Sequence, residues 1–332
     1  MVLIIEGITV DKQPASISDL ENAFPILTTR SKALRDQPPI LQPPSKLLYV
    51  LQREFAVVSP ADDKIDILGS EDATTCHLLI LRHTGSGVTA LSHFDGCGMD
   101  EGLESMISKM RRVSRGAPEG GRIEAHVIGG FIDDRDESVN LFQNLFAIFR
   151  RTQHDIHVIT ACVCDANDVV KNDRVHFPVL YGVGVNCKTG AVFPATFPDK
   201  GPDAALRSAR HFNGKTRRQV IDIYDVGKRK LVIEPFDLDP WDEAGLWLQQ
   251  PDDFILNNMS TSPKQEPQNF VPKLKDTLKF IVDNPTLTKD VFPGGAPRVY
   301  DKVGDGQWIA GADDTSVAVH DFVNDNSANS NN

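Results

Sequence analysis

Apolar residues alternate with polar ones along much of the chain after Leu47, which is the pattern of half-buried β-strands. It occurs in the segments LLYVLQREFAVVS, KIDILGS, TTCHLLILRH, VTALSHFD, GRIEAHVIGGFID, DIHVITACVCD and HFPVLYGVGVNCKTGAVFPATF. Apolar spacing of about 3.6 residues instead predicts helices in LESMISKMRRVS, ESVNLFQNLFAIFRRT and VPKLKDTLKFIVDN. This mixture of strands and helices predicts an α+β fold with helices packed on antiparallel sheets.

The chain divides into three regions by composition. Residues 1–46 end in the proline-rich run ALRDQPPILQPPSK, which predicts a short N-terminal segment followed by an extended arm. Residues 47–310 show neither an internal repeat nor a clear linker, so we interpret them as a single main domain. Residues 311–332 are polar and acidic, and we expect them to form a disordered tail.

The overall composition excludes several classes of partner. The 332 residues carry a net charge of −11, which argues against nucleic acid or an anionic membrane as the main partner. The sequence has no apolar run of the roughly 18 residues that a membrane span needs, and its start lacks the basic region of a signal peptide. Five cysteines do not suggest a disulfide framework. We expect a monomer in the cytosol, and in the nucleus as an additional location.

The sequence around GSG predicts a β-hairpin in which Leu78 lies opposite His93. Successive side chains of a strand point to opposite faces, so Cys76 lies on the same face as His93. As diagonal neighbours, the two residues are about 7–8 Å apart at the backbone, within reach of an imidazole. His77 and His83 point to the other face, although a slip of one residue in the register would exchange the two faces.

Cys76 therefore has two interpretations. A cysteine in an apolar strand is most often a small buried hydrophobic residue. Beside a histidine it is instead a candidate nucleophile, because a neighbouring imidazolium raises the fraction of thiolate. The spacing alone leaves both open.

A second group of cysteines and histidines resembles a metal site only in composition. It comprises His154, His157, Cys162 and Cys164 in HDIHVITACVC. If the segment is a strand, its ends are about 33 Å apart at ~3.3 Å per residue, too far for one ion. We therefore expect core cysteines, and neither a metal nor an organic cofactor.

Six longer motifs resemble one known family. LYVLQREFAVVSP, ILGSEDATTCHLLILRHTGSG, LSHFDG, HVIGGFIDDR, HFPVLYGVGVN and ILNNMSTSP are similar to the eukaryotic protein N-terminal asparagine amidohydrolases. The resemblance implies hydrolysis of the side-chain amide of an N-terminal asparagine to give aspartate and ammonia. Its partners would be proteins and peptides with a free N-terminal Asn, and the product would enter arginylation and ubiquitin-dependent degradation.

A fainter resemblance concerns the fold and the catalytic residues. LGS, the cysteine, the histidine of LSHF and VIGG resemble the bacterial chemoreceptor glutamine deamidases. Those enzymes and the necrotizing deamidase toxins share a layered α/β/β sandwich with a cysteine–histidine pair. The resemblance implies that Cys76 is the nucleophile, that His93 is its base, and that Ser70 supplies a hydroxyl to the histidine.

Selectivity for a free terminus requires a group that recognises its ammonium ion, and carboxylates suit this purpose. Asp72 lies in the loop that leads to Cys76, and Asp95 lies opposite Cys76 in the hairpin. We predict substrate contacts from both acids and from Thr75, next to the cysteine. The alternative is that both acids are merely solvated. Two other functions stay open: a cysteine hydrolase acting on internal glutamines, and a non-catalytic module that binds peptide N-termini.

Overall fold

A computed structural model of the chain describes residues 2–116, 120–171, 174–212, 218–238, 241 and 243–311. In chain order, the strands within these ranges are β1 (Leu3–Ile5), β2 (Ile8–Thr9), β3 (Ile40–Leu41), β4 (Leu47–Tyr49), β5 (Glu54–Val58), β6 (Ile67–Ser70), β7 (His77–His83), β8 (Thr89–Phe94), β9 (Ile123–Gly129), β10 (Ile156–Val163), β11 (Asp168–Lys171), β12 (Val175–Pro178), β13 (Val183–Asn186), β14 (Val192–Thr196), β15 (Ile221–Asp222), β16 (Tyr224–Asp225), β17 (Lys230–Ile233), β18 (Arg298–Val303) and β19 (Gln307–Ala310). The helices are α1 (Ile17–Ala23), α2 (Pro25–Arg35), α3 (Met99–Val113), α4 (Glu137–Arg151), α5 (Ala204–Ala209), α6 (Ala244–Leu248), α7 (Asp252–Met259), α8 (Phe270–Asp283) and α9 (Leu287–Asp290). Single turns of 3₁₀ helix cover Cys164–Asn167, Arg210–Phe212 and Pro293–Gly295.

An eight-stranded sheet with the order β15-β5-β8-β7-β9-β10-β1-β2 forms the centre of the fold. Its middle is the β7–β8 hairpin, in which Leu78 pairs with His93 and His77 with Phe94. The predicted register is therefore confirmed. The expectation of antiparallel sheets is wrong for several pairs: β10 runs parallel to β9 and β1, β15 runs parallel to β5, and two pairs of the five-stranded sheet, β4–β6 and β3–β14, are also parallel. The helix α4 connects β9 to β10, and a crossover of this kind returns the chain in the same direction.

The two faces of this sheet are covered differently. On one face, α3 packs against β5 and β8, and α4 packs against β1, β7 and β10, with Phe142, Phe146 and Leu79 in the shared core. On the other face, Leu78 and Ile80 belong to a core shared with strands of a five-stranded sheet, β3-β14-β13-β6-β4, and of a four-stranded sheet, β16-β17-β18-β19. Layers of helix, sheet and sheet therefore follow one another. The predicted α+β class is confirmed, whereas the likeness to the bacterial deamidases stays a prediction.

The N-terminal residues are part of these sheets. Leu3 pairs with Ile156 at one side of the central sheet, and Ile40 pairs with Ala195 in the five-stranded sheet. The predicted arm begins as the last turn of α2 and then forms β3. The division at residue 46 stays a prediction, and the predicted tail lies outside the described residues from position 312 onward.

Most of the segment HDIHVITACVC forms the strand β10, as predicted, and Cys164 begins the 3₁₀ turn that follows it. Cys162 and Cys164 are buried in the cores on opposite faces of the central sheet. Among the described residues no three His, Cys, Asp or Glu side chains gather as ligands for a metal ion. None of the helices in the described ranges combines the length and the apolar character that crossing a bilayer requires.

Candidate active site

A cavity of about 540 Å³ contains both Cys76 and His93 in its wall. Apolar side chains cover one side of it, among them Phe212 and Trp241, whose rings stack 5.0 Å apart. A larger cavity of about 850 Å³ lies elsewhere, but its described lining includes neither cysteine nor histidine. The smaller cavity is therefore the better candidate for cysteine chemistry.

Cys76 lies immediately before β7, and its side chain is partly exposed to this cavity. The backbone of β9 approaches it closely at Gly129, where a Cβ atom would be 2.4 Å from the carbonyl oxygen of Cys76. Gly129 also has a φ of +125°, which side chains other than that of glycine rarely tolerate. The first glycine of the VIGG motif is thus explained by the packing beside the candidate nucleophile.

His93 is held by hydrogen bonds that decide which of its ring nitrogens carries the proton. The hydroxyl of Ser70 donates to the carbonyl oxygen of Val50 at 2.7 Å and lies 2.9 Å from Nδ1 of His93. A serine hydroxyl has one proton, so Ser70 must accept its second bond from an Nδ1–H group. The neutral imidazole then has an unprotonated Nε2, which is buried and has no hydrogen-bond partner among the described residues. His93 is prepared to accept a proton at Nε2.

The surroundings favour uncharged forms of both groups. Burial lowers the pKa of His93 to about 4. Burial, with the negative charges of Asp95 and Glu266 as smaller contributions, raises the pKa of Cys76 well above its ordinary value. The resting pair is therefore a thiol beside a neutral imidazole, rather than the thiolate and imidazolium that we expected from the sequence. In such a pair, His93 would act as a general base that removes the proton of the Cys76 thiol.

The other two histidines of the hairpin are not in this cavity, as the alternation of side chains predicted. His77 is buried toward α4, where Gly130 and Ser138 lie beside it. His83 contacts the hydroxyl of Ser86 at 2.8 Å and lines a different cavity.

Among the predicted substrate contacts, Asp72 and Thr75 line the cavity and Asp95 does not. Asp72 pairs with Lys273 at 2.6 Å, and the hydroxyl of Thr75 lies 3.0 Å from that of Thr261. Asp95 already accepts hydrogen bonds from the side chains of Arg53 and Gln52, at 2.5 and 2.6 Å, and from the backbone N–H of Cys97 at 3.1 Å. Its carboxylate therefore lies behind the cavity wall.

Sequence reasoning missed one acid of this cavity, Glu266. Its carboxylate accepts a hydrogen bond from Ser260 at 2.6 Å, and burial raises its pKa to about 7. The signal was the motif ILNNMSTSP, since residues 258–261 at its centre line the same cavity. Nothing in the local spacing, however, relates Glu266 to Cys76.

Comparison with known proteins identifies the family. A family model described as protein N-terminal asparagine amidohydrolase matches residues 38–310. Relatives of that name from Sus scrofa and Homo sapiens are 43% and 42% identical over 308 residues, which is 93% of this chain and 97% of each relative. The chain belongs to the protein N-terminal asparagine amidohydrolase family. A more distant relative of the same name, from Arabidopsis thaliana, is 28% identical over 79% of this chain and 80% of its own.

A neutral pair in this amidohydrolase has a measurable consequence for the reactivity of Cys76. We expect its alkylation by iodoacetamide to accelerate continuously as the pH rises through 7 and beyond, because thiolate forms only as the elevated pKa is approached. The rate is measured by mass spectrometry of the peptide containing Cys76, with the partly exposed Cys97 as the internal control. A plateau of fast alkylation persisting below about pH 6 would indicate an ion pair and contradict the neutral assignment.

Proposed function

We propose that this protein hydrolyses the side-chain amide of an N-terminal asparagine in proteins and peptides, releasing aspartate and ammonia. The observation that carries the proposal is the unprotonated Nε2 of His93 in the wall of the cavity that also exposes Cys76. Membership of the amidohydrolase family supports the substrate, since its relatives are named for the N-terminal asparagine.

In the first half of the mechanism, the amide carbon is attacked by sulfur. Nε2 of His93 removes the proton of the Cys76 thiol while Sγ bonds to the carbonyl carbon, giving a tetrahedral intermediate. The imidazolium then donates this proton to the amide nitrogen, the C–N bond breaks, and ammonia leaves a thioester on Cys76. We propose that backbone N–H groups near Cys76 bind the oxyanion, an interaction of about 3–4 kcal/mol in other enzymes.

In the second half, water replaces the sulfur. Nε2 of His93 removes a proton from the water molecule as its oxygen attacks the thioester carbon, and the C–S bond breaks to release aspartate. The proton returns from the imidazolium to the thiolate. Throughout, Ser70 accepts the hydrogen bond from Nδ1–H and so stabilises the imidazolium in the orientation that both steps require.

The free ammonium group of the substrate needs acceptors in the same cavity. We assign this contact to Asp72 and Glu266, both of which line the wall with Cys76. A cation beside Glu266 would favour its ionised form and offset the burial that raises its pKa. Thr75 contributes to the wall next to the nucleophile, while Asp95 acts only through its charge behind the wall.

The proposed product, N-terminal aspartate, would enter a degradation pathway. In this family, N-terminal aspartate is the substrate for arginylation, which is followed by ubiquitin-dependent degradation, and we propose the same fate here. The reaction would occur in the cytosol or the nucleus, on a monomeric enzyme, with proteins and peptides as its partners.

Substitution of the catalytic residues tests the chemistry. We expect Cys76→Ala to abolish ammonia release from a peptide with N-terminal Asn and His93→Ala to reduce it by about a thousandfold, since each removes an essential proton or electron pair. Ser70→Ala should give a smaller loss. Ammonia is assayed with a coupled enzyme, and melting temperatures confirm folding. His83→Ala, on the other face of the hairpin, is the matched control and should retain full activity. Turnover by Cys76→Ala would refute the nucleophile and leave a hydrolase of another mechanism, whereas absence of ammonia release by the wild-type protein would favour a binding module.

Blocking the terminus tests the recognition of the ammonium group. We expect N-acetylated Asn peptides, internal Asn and N-terminal Gln to be essentially inert, because a pinned ammonium fixes the carbonyl and a shift of ~1 Å costs roughly a hundredfold. Glu266→Gln should raise KM for the free peptide by about tenfold or more, whereas Glu137→Gln, at an exposed position, should not. Equal turnover of acetylated and free peptides would remove this assignment, and turnover of internal Gln would favour the glutamine hydrolase.

A further inference from the structure

The turn between β4 and β5 makes hydrogen bonds to His93 and to its partner Ser70. The carbonyl oxygen of Val50 accepts a hydrogen bond from the Ser70 hydroxyl, and this bond fixes which nitrogen of His93 is protonated. The backbone N–H of Arg53 also donates to the carbonyl oxygen of His93 at 2.9 Å. The position of this turn therefore matters for the proton on His93.

A buried ion pair holds the same turn on both sides of Val50. The guanidinium of Arg207 in α5 donates to both carboxylate oxygens of Glu54, at 2.9 and 2.5 Å. It also donates to the carbonyl oxygen of Tyr49 at 2.9 Å, while Glu54 accepts the backbone N–H of Leu51 at 2.8 Å. Both side chains are almost completely buried, with 1% and 5% of their surface exposed.

Stability alone does not explain such a pair. Removing two charges from water is costly, and well-packed apolar residues commonly replace a buried ion pair without loss of stability. The pair does, however, fix the two residues adjacent to Val50 by hydrogen bonds that apolar side chains cannot make. We propose that Arg207 and Glu54 are positioning residues that hold the Val50 carbonyl so that His93 keeps its proton on Nδ1. This inference rests on the proposed function.

The physical reason is the free rotation of the serine hydroxyl. While the Val50 carbonyl is in place, Ser70 donates to it and accepts from Nδ1–H. If that carbonyl moves away, the hydroxyl can rotate and donate to Nδ1 instead. The proton of the neutral imidazole would then lie on Nε2, and His93 could no longer accept one from Cys76. Loss of the pair should thus reduce kcat while leaving substrate binding unchanged.

The test replaces the pair by apolar residues of similar size in the full-length enzyme. We expect Glu54→Leu/Arg207→Met to lower kcat by about tenfold or more, with KM for an Asn peptide changed by less than about twofold. In ¹⁵N NMR spectra, His93 should shift from the Nδ1–H toward the Nε2–H tautomer. The matched control is the ion pair between Lys109 and Asp222, at 2.5 Å, neither of which lines the cavity. Lys109→Met/Asp222→Leu should leave kcat and the tautomer unchanged.

A double-mutant cycle with Ser70→Ala separates positioning from general damage. If the pair acts through Ser70, adding Ser70→Ala to Glu54→Leu/Arg207→Met should lower kcat little further. Unchanged kcat in the folded double variant, or losses that multiply with that of Ser70→Ala, would overturn the inference. Should the double variant not fold, Arg207→Lys serves the same test, because an ammonium cannot reproduce the planar fork that joins Glu54 to Tyr49. Absence of ammonia release from an Asn peptide by the wild-type enzyme would instead refute the proposed function itself.

Discussion

The hydrogen bond between Ser70 and His93 is the interaction on which the arrangement of the site depends. Ser70 ends a strand of the five-stranded sheet, and His93 lies on a strand of the central sheet, so this bond joins two layers of the fold. Both residues are buried, where an unsatisfied polar group is costly. The packing of sheet on sheet thus brings the serine to the histidine, and the Val50 carbonyl then directs the serine proton away from it. The cavity wall thus contains, together with Cys76, an imidazole whose Nε2 carries no proton.

Burial of the site also favours the uncharged forms of Cys76 and His93. Removal from water depresses the pKa of His93 and raises that of Cys76, so the ion pair common to many cysteine enzymes is disfavoured before substrate binds. In the proposed mechanism, transfer of the thiol proton is therefore coupled to the attack on the amide. Among the charges near the pair, Asp95 behind the wall and Glu266 within it raise the pKa of Cys76, while Arg53 lowers it by less. These acids oppose a resting thiolate but suit a substrate that arrives with an ammonium group.

The sequence predicted the local part of this site and failed at the non-local part. The hairpin placed His93 with Cys76 because side chains of a strand alternate strictly, and an even loop preserves that parity. The role of Ser70 was predicted only from a resemblance, because its contact with His93 depends on how two sheets pack. Glu266 and Arg207 lie far from the cysteine in sequence, and no periodicity relates them or Glu54 to it. The parallel strands beside β9 were missed for the same reason, because pairing across a helical crossover leaves no local pattern.

The central claim is that Cys76 forms a thioester with the asparagine side chain, and hydroxylamine tests it most directly. A thioester is captured by this nucleophile in competition with water, giving a hydroxamate about 16 Da heavier than the starting Asn peptide. The account predicts that mass spectrometry will show hydroxamate replacing aspartate as hydroxylamine is increased, and that Cys76→Ala will form neither product. Formation of aspartate alone by the wild-type enzyme at every hydroxylamine concentration would mean that water attacks the amide directly, and would contradict the account.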